Sequence, residues 1–81
     1  MKELHLVIVS PEKTMYDGKA DSVVLPGESG EFQVLVNHAP IISSLVGGEV
    51  RYVAGQETHS LQIQGGFVEV KDNQISVCVE L

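Results

Sequence analysis

Apolar residues recur at every second position along most of the chain, whereas the three-to-four-residue spacing of a helix is nearly absent. The opening segment, Leu4–Val9, shows this alternation most clearly. Its residues would point alternately to two sides of a strand: Leu4, Leu6 and Ile8 against His5, Val7 and Val9. Both sides are largely apolar. One side would fill a core, and the other would leave an apolar patch of the kind that marks a protein interface.

The same period predicts further strands, each bounded by Gly, Pro, Asn, Asp or Ser. These strands are Ala20–Leu25, Phe32–Val36, Ile41–Val46, Glu49–Val53, His59–Ile63, Phe67–Lys71 and Gln74–Leu81. Short strands at such even spacing predict an all-β fold, a β-sandwich or flattened barrel of about 8–10 short antiparallel strands. The chain has 81 residues, so we expect one β-sandwich domain over residues 1–81.

Polar and glycine-rich segments are interpreted as the connections between strands. Tyr16–Lys19 is interpreted as a turn, and Ala54–Gln56 and Asp72–Asn73 as hairpin loops. Asp and Asn tolerate the left-handed conformation that a two-residue hairpin loop requires. The glycine pairs Gly47–Gly48 and Gly65–Gly66 are interpreted as tight bends that interrupt the strands.

The charge of the chain argues against nucleic acid and against direct binding to an anionic membrane. Five Lys and Arg face eleven Asp and Glu, for a net charge of −6, and the cations are scattered. No apolar run approaches the ~20 residues that span a bilayer, and Met1–His5 carries no signal-peptide pattern. We therefore expect a cytosolic protein, or one held at a membrane only by another protein.

Residues for catalysis or metal binding are sparse. His5, His38 and His59 lie far apart, and Cys78 is the only cysteine, so a thiol-rich zinc site and an internal disulfide are excluded. No serine lies in a nucleophile elbow, and Glu28 beside Gly27 would repel a phosphate. We predict no catalytic, cofactor-binding or metal-binding residues. Cys78, on the outward side of the last strand, is expected to lie under a partner.

Six segments in a fixed order carry a resemblance to a known family. They are Leu4–Glu12, Met15–Ala20, Gly27–Phe32, His38–Ile41, Gly65–Val70 and Asn73–Val77. Together they resemble the amino-terminal β-sandwich of the epsilon subunit of F-type ATP synthase. The family usually has Pro-Gly before the histidine, where this chain has Val36-Asn37. Because Asn37 can adopt a left-handed conformation, we expect the corner to be kept.

The resemblance implies a non-catalytic subunit of the central stalk. Such a subunit links the gamma subunit to the ring of c subunits, couples proton-driven rotation to ATP synthesis, and needs no cofactor. It would lie at the cytoplasmic face of the bacterial inner membrane. The residues that the resemblance places toward gamma are Ser10, Met15, His38, Ala39, Pro40 and Ile42. Those that it places toward the c ring are Glu28, Ser29, Gly30 and Glu31.

Most members of the family continue into a two-helix carboxy-terminal domain, whereas this sequence stops at Leu81. We expect a naturally short epsilon subunit that lacks this helical hairpin. Other functions stay open at this point. They are a stand-alone binding or adaptor module, a small metal-dependent barrel enzyme using the three histidines, and a lipoyl or biotinyl carrier using Lys13 or Lys71.

Overall fold

The computed structural model describes residues 3–81, which form one strongly curled sheet of nine strands. The strands are β1 Leu4–Val9, β2 Thr14–Ala20, β3 Ser22–Gly27, β4 Gly30–Val34, β5 Ile41–Leu45, β6 Gly48–Ala54, β7 Glu57–Ile63, β8 Gly65–Lys71 and β9 Gln74–Glu80. Their order in the sheet is β2-β1-β9-β8-β5-β3-β6-β7, with β4 beside β3. The predicted all-β sandwich or flattened barrel is confirmed.

The sheet folds over between β5 and β3, where a single residue pair, Gly27 and Leu45, connects the two strands. The first layer is therefore β2-β1-β9-β8-β5, and the second is β4-β3-β6-β7. Between the layers lies a core of alternating inward residues. Its buried members are Leu4, Leu6, Ile8, Ala20, Val23, Leu25, Val34, Leu45, Val50, Ile63, Val68, Val70, Ile75, Val77 and Val79. The predicted inward side of β1 is thus confirmed.

The pairing of β1 with β9 differs from the prediction, because it is parallel. It runs from His5 opposite Gln74 to Val9 opposite Cys78, whereas the other strand pairs are antiparallel. A parallel pair needs a long connection, and here seven intervening strands supply it. The alternation within a strand carries no information about the direction of its neighbour, so the all-antiparallel expectation was wrong for this pair.

The predicted turn at Tyr16–Lys19 is also wrong. These residues belong to β2, where Asp17 lies opposite Val7 and Gly18 opposite Leu6. Because β2 ends the sheet, it pairs with a strand through one edge only among residues 3–81, and it therefore tolerates polar residues and glycine. The chain reverses earlier, where the amide of Ser10 donates a 2.8 Å hydrogen bond to the carbonyl of Lys13.

Gly65 and Gly66 were predicted to interrupt the strands, and this prediction is wrong. They are the first residues of β8 and lie opposite Glu80 and Val79. The φ of Gly66 is 150°, and a Cβ there would overlap the carbonyl oxygen of Cys78. Glycine therefore allows β8 and β9 to approach each other at this point. Predicted strand ends also shift slightly: β4 stops at Val34, before Leu35, and β9 stops at Glu80.

Turns that depend on local backbone conformation match their predictions. Asp72 and Asn73 have φ values of 51° and 61°, as a two-residue hairpin loop requires. Asn37 has φ 67°, which confirms the left-handed corner. Its amide donates a 2.6 Å hydrogen bond to Asn73 Oδ1, and Asn73 Nδ2 donates a 3.3 Å bond back to Asn37 Oδ1. The corner before His38 is therefore tied to the β8–β9 hairpin.

Aromatic rings close the open side of the sandwich, where β2 of the first layer meets β6 of the second. The ring centroids of Tyr16 and Tyr52 are 4.6 Å apart, and His59 stacks on Tyr52 at 5.1 Å. Burial, and secondarily the neighbouring Tyr16, raise the pKa of the Tyr52 phenol above its usual 10.0. The Tyr16 hydroxyl also donates to the carbonyl of Lys19, which fixes its ring.

Candidate interaction surfaces

The outer side of the first layer carries a row of apolar side chains, here called the apolar row. It consists of Val9, Cys78 and Phe67, which lie directly opposite one another on β1, β9 and β8. Phe67 is 53% exposed. Together with Pro11 and the backbone of Gly66, the row lines a depression of about 330 Å³. The second apolar side of β1 predicted this surface, although the sequence did not single out Phe67.

Two polar side-chain pairs lie on the same layer, toward the opposite end of β1 from the apolar row. His5 Nε2 lies 2.6 Å from Asp17 Oδ1, and Lys19 Nζ lies 3.3 Å from Glu3 Oε2. Cys78 is a free thiol and is half-buried within the row. The expectation that a partner covers this thiol stays a prediction. Beside the row, Ser10 and Glu80 line the same depression. An exposed apolar patch with polar residues at its border is a common form of a protein-binding surface.

The predicted gamma contacts do not form one cluster. Ser10 follows Val9 at one end of the apolar row, and Met15, nearby on β2, is half-buried against the core. His38, Ala39 and Pro40 precede β5, at the opposite end of the first layer. Within this corner, His38 Nδ1 donates a 2.7 Å hydrogen bond to the carbonyl of Ala39. A single partner would have to extend over the whole outer side of the layer to reach both groups.

The four predicted c-ring contacts lie together, on the hairpin that joins β3 to β4. Gly27 and Gly30 are paired, so Glu28 and Ser29 form the tip. The amide of Glu28 donates a 3.2 Å hydrogen bond to the carbonyl of Ser44 and holds the tip beside β5. The acidic hairpin, residues 27–32, and β5 line a depression of about 490 Å³. Ile42, predicted to face gamma, lines this depression as well.

Glu31 is held by an arginine that sequence reasoning did not identify. Arg51 Nη2 donates to Glu31 Oε1 at 3.2 Å, and Arg51 Nη1 donates to Glu49 Oε1 at 3.1 Å. The hydrogen bond to Glu49 and then that to Glu31 raise the pKa of the guanidinium. The alternation in β6 places Glu49 and Arg51 on one side of the strand, but it gives no sign that Glu31 of β4 reaches them.

The three histidines occupy separate environments: His5 pairs with Asp17, His38 lies in the corner, and His59 stacks on Tyr52. Over residues 3–81, His, Cys, Asp and Glu side chains form no group of three that could hold a metal ion. None of these residues belongs to a helix long and apolar enough to cross a membrane.

Comparison with known proteins assigns the family. The family described as "ATP synthase, Delta/Epsilon chain, beta-sandwich domain" matches residues 3–81. The chain belongs to this family. The ATP synthase epsilon chain of Nitratidesulfovibrio vulgaris (strain DSM 19637 / Miyazaki F) is 46% identical over 79 residues, 98% of this chain and 59% of that relative. The ATP synthase epsilon chain of Leptospira borgpetersenii is 40% identical over 78 residues, which are 96% of this chain and 61% of that relative. The resemblance to the epsilon subunit is thereby confirmed.

The chain spans about three fifths of the length of these curated epsilon chains. Two solved assemblies contain the same fold as this delta/epsilon β-sandwich. One is the Euglena gracilis mitochondrial ATP synthase, OSCP/F1/c-ring, with a TM-score of 0.88 at 19% identity, covering 95% of this chain and 50% of the matched chain. The other is the Tetrahymena thermophila mitochondrial ATP synthase central stalk and c-ring. Its TM-score is 0.83 at 14% sequence identity, and the match covers 99% of this chain and 65% of the matched chain.

In this delta/epsilon β-sandwich, the two candidate surfaces adjoin, because Phe67 of the apolar row lies opposite Ser44, which lines the depression beside the acidic hairpin. The apolar row spans the middle strands of the first layer, whereas the acidic hairpin extends beside β5, where the sheet folds over. The domain therefore carries one apolar and one charged candidate surface.

Proposed function

We propose that this chain is a central-stalk subunit of F-type ATP synthase. Acting as one β-sandwich unit, it joins the gamma subunit to the c ring and couples proton-driven rotation to ATP synthesis, without catalysis of its own. It works as a peripheral subunit at the cytoplasmic face of the bacterial inner membrane. The observation that carries this proposal is the exposed apolar row on a domain of the delta/epsilon family.

The apolar row is the surface that binds gamma in this proposal. Phe67 stands more than half exposed between Cys78 on one side and Ser44 on the other, and large aromatic side chains are frequent anchors of interfaces. Ser10 and Met15 continue the contact beyond Val9. His38, Ala39 and Pro40 extend it to the far end of the layer, where the Asn37–Asn73 hydrogen bonds hold the corner in place.

The acidic hairpin is the surface that binds the c ring in this proposal. Glu28, Ser29, Gly30 and Glu31 are all exposed, and two carboxylates favour a partner with cationic or amide groups. The hairpin is anchored by the Glu28–Ser44 backbone bond and by the Glu31–Arg51 ion pair. An anchored hairpin suits a rotor subunit, because a contact that transmits torque must not yield under load.

Binding to the gamma subunit encoded by the same genome tests the proposal. The wild-type chain is expected to co-elute with gamma as a one-to-one complex in size-exclusion chromatography. Phe67→Ser should weaken the complex by about tenfold or more in calorimetric titration, because it removes an interface anchor. Gln62→Ser is the matched control, since Gln62 is exposed on β7 of the other layer, and it should change affinity by less than about twofold.

The proposal is wrong if the chain and gamma elute as two separate peaks at micromolar concentration. That result would favour a stand-alone binding module. Equal losses of affinity for the two variants would instead remove the apolar row as the gamma surface. Thermal melts of both variants, followed by circular dichroism, establish that any loss of binding does not arise from unfolding.

A further inference from the structure

Asn73, in the loop between β8 and β9, is bonded to two other segments of the chain. Its side-chain oxygen, Oδ1, accepts the 2.6 Å hydrogen bond from the amide of Asn37, which lies 36 positions away. Its backbone carbonyl accepts a 2.9 Å hydrogen bond from the amide of His5, near the start of β1. This loop residue therefore joins the corner that precedes β5 to the first strand of the sheet.

Asn73 also supplies the hydrogen bonds that connect the corner segment, residues 35–40, to the rest of the sandwich. Inside the segment, the amide of His38 donates a 3.1 Å bond to the carbonyl of Leu35, and the His38 ring bonds to the carbonyl of Ala39. Over residues 3–81, the hydrogen bonds from this segment to other parts of the chain all go to Asn73. The segment is exposed apart from half-buried His38, so packing adds little support.

The bond to β1 matters because the proposed gamma contact has two ends. Ser10 and Met15 lie at one end of the first layer, and the corner segment lies at the other. Between these ends runs β1, from His5 beside Asn73 to Val9, a distance of about 13 Å at ~3.3 Å per residue. Asn73 therefore fixes the position of the corner segment relative to the other end. A rigid partner that spans the layer can then contact both ends at once.

The side chain of Asn73 is the part of this link that a substitution can remove. The shorter bond uses the backbone amide of Asn37, which every residue except proline offers. Asn73 and Asp72 have φ values of 61° and 51°, so glycine fits either position without strain. The side-chain hydrogen bonds and ion pairs of residues 3–81 do not involve Asp72. The two loop residues thus differ in whether they hold the corner segment.

We propose that Asn73 is a positioning residue of the gamma contact. It holds the corner segment at a fixed distance from Ser10 before gamma binds, and it does not contact gamma itself. A contact that is ordered in advance loses less conformational entropy on binding, which raises the affinity. Two contacts held at the right separation also bind more tightly together than either binds alone. This inference rests on the proposed function and deepens it, because it adds a residue that lies outside both contact surfaces.

Binding to the gamma subunit encoded by the same genome, measured by calorimetry, tests the proposal. Asn73→Gly should weaken binding by about three- to tenfold, because it removes the acceptor and keeps the left-handed loop. Asp72→Gly is the matched control and should change the affinity by less than about twofold. Asn73→Asp is the conservative variant. Its carboxylate still accepts the bond from the Asn37 amide, so the affinity should stay within about twofold of wild type.

A second set of variants determines whether Asn73 acts through the corner segment. In a chain that carries His38→Ala and Pro40→Ala, Asn73→Gly should weaken binding further by less than about twofold, because the corner no longer contributes. In a Phe67→Ser chain, Asn73→Gly should retain its full effect, because Phe67 lies outside the corner. Hydrogen exchange followed by NMR gives a readout without gamma. The amide of Asn37 should exchange about three- to tenfold faster in Asn73→Gly than in wild type.

The inference is overturned if Asn73→Gly binds gamma as tightly as wild type, or if Asp72→Gly loses as much affinity. An undiminished effect of Asn73→Gly in the chain with the truncated corner would overturn it as well. Failure of the wild-type chain to bind gamma would overturn the proposed function and the inference with it. Urea unfolding of both glycine variants establishes that any loss of binding does not arise from a loss of the fold.

Discussion

The two outer sides of the sandwich cover the same core but differ in chemistry. The first layer presents the apolar row, with Phe67 and Val9 in reach of solvent. The second layer presents Arg51 between Glu31 and Glu49, and half-buried Val24 lies opposite Arg51 on the neighbouring strand. Charged side chains are well hydrated at a protein surface, whereas an exposed apolar row gains free energy when a partner covers it and removes it from water. In both layers the inward residues of each strand are apolar and form the core. The outward residues differ in polarity between the layers, and this difference indicates that the two outer sides have different surroundings.

The sharpest way to break this comparison uses two adjacent residues of β8. Val68 is fully buried and Phe67 is 53% exposed, so their side chains lie on opposite sides of the first layer. Val68→Asp places an unpaired charge in the core and should cost about 4 kcal/mol or more, enough to unfold a domain of this size. Phe67→Asp should change the free energy of unfolding by less than about 1 kcal/mol. Urea unfolding followed by circular dichroism compares them, and a folded Val68→Asp would contradict the layer assignment.

A smaller effect is expected from two glycines, one under the apolar row and one at the acidic hairpin. Gly66 and Gly30 have φ values of 150° and 127°, but only at Gly66 would a Cβ overlap a backbone atom, the Cys78 carbonyl oxygen. Gly66→Ala should therefore lower the free energy of unfolding by about 2–3 kcal/mol, and Gly30→Ala by about 1 kcal/mol. Equal losses in urea unfolding would mean that β8 and β9 are not packed closely at Gly66.

Reversing a charge on the second layer should change function more than stability. Glu31→Lys removes one of the two ion pairs of Arg51, and exposed ion pairs add little to stability because water screens them. The free energy of unfolding should therefore change little, while ATP-driven proton pumping in membrane vesicles should weaken. Gln33→Lys, on the same exposed side of β4, is the control and should leave pumping intact. Unchanged pumping in Glu31→Lys would remove the hairpin from the ring contact.

The smallest effect concerns the aromatic rings where the two layers meet. Burial raises the pKa of Tyr52 in the folded chain, so the folded state retains a proton that the unfolded chain loses above pH 10.0. The stabilisation is complete below that pH and is lost as pH rises through the higher folded pKa. Tyr52→Phe should therefore flatten the loss of stability above pH 10. Identical alkaline unfolding profiles for wild type and Tyr52→Phe would contradict this assignment.

The sequence predicted those parts of the fold that depend on neighbouring residues. Asp72, Asn73 and Asn37 adopt left-handed conformations because their side chains tolerate them, whatever the rest of the chain does. The inward side of β1 follows from alternation alone. The turn at Tyr16–Lys19 was predicted wrongly because turn-forming residues are also tolerated in an edge strand, and the sequence does not show which strand forms the edge.

The candidate surfaces could be predicted only in part, because each combines distant segments. The second apolar side of β1 predicted an apolar patch, but its main member, Phe67, lies on β8 and reaches Val9 through Cys78. Arg51 on β6 reaches Glu31 on β4 across β3. The backbone bond between Glu28 and Ser44 holds the acidic hairpin beside β5, so that Ile42 and the hairpin line one depression. These contacts depend on strand order, which local alternation does not specify.

The parallel pairing of β1 with β9 has a consequence for how the protein is made. His5 and Gln74 are about 70 residues apart, and a ribosome that adds about 5–20 residues per second needs about 4–14 s to cover that distance. During this time the nascent chain can form the β1–β2 hairpin, but one edge of β1 still has no neighbour. Completion of the sandwich therefore waits for synthesis of the ninth strand, and a cell that needs this subunit must keep the unfinished chain from aggregating.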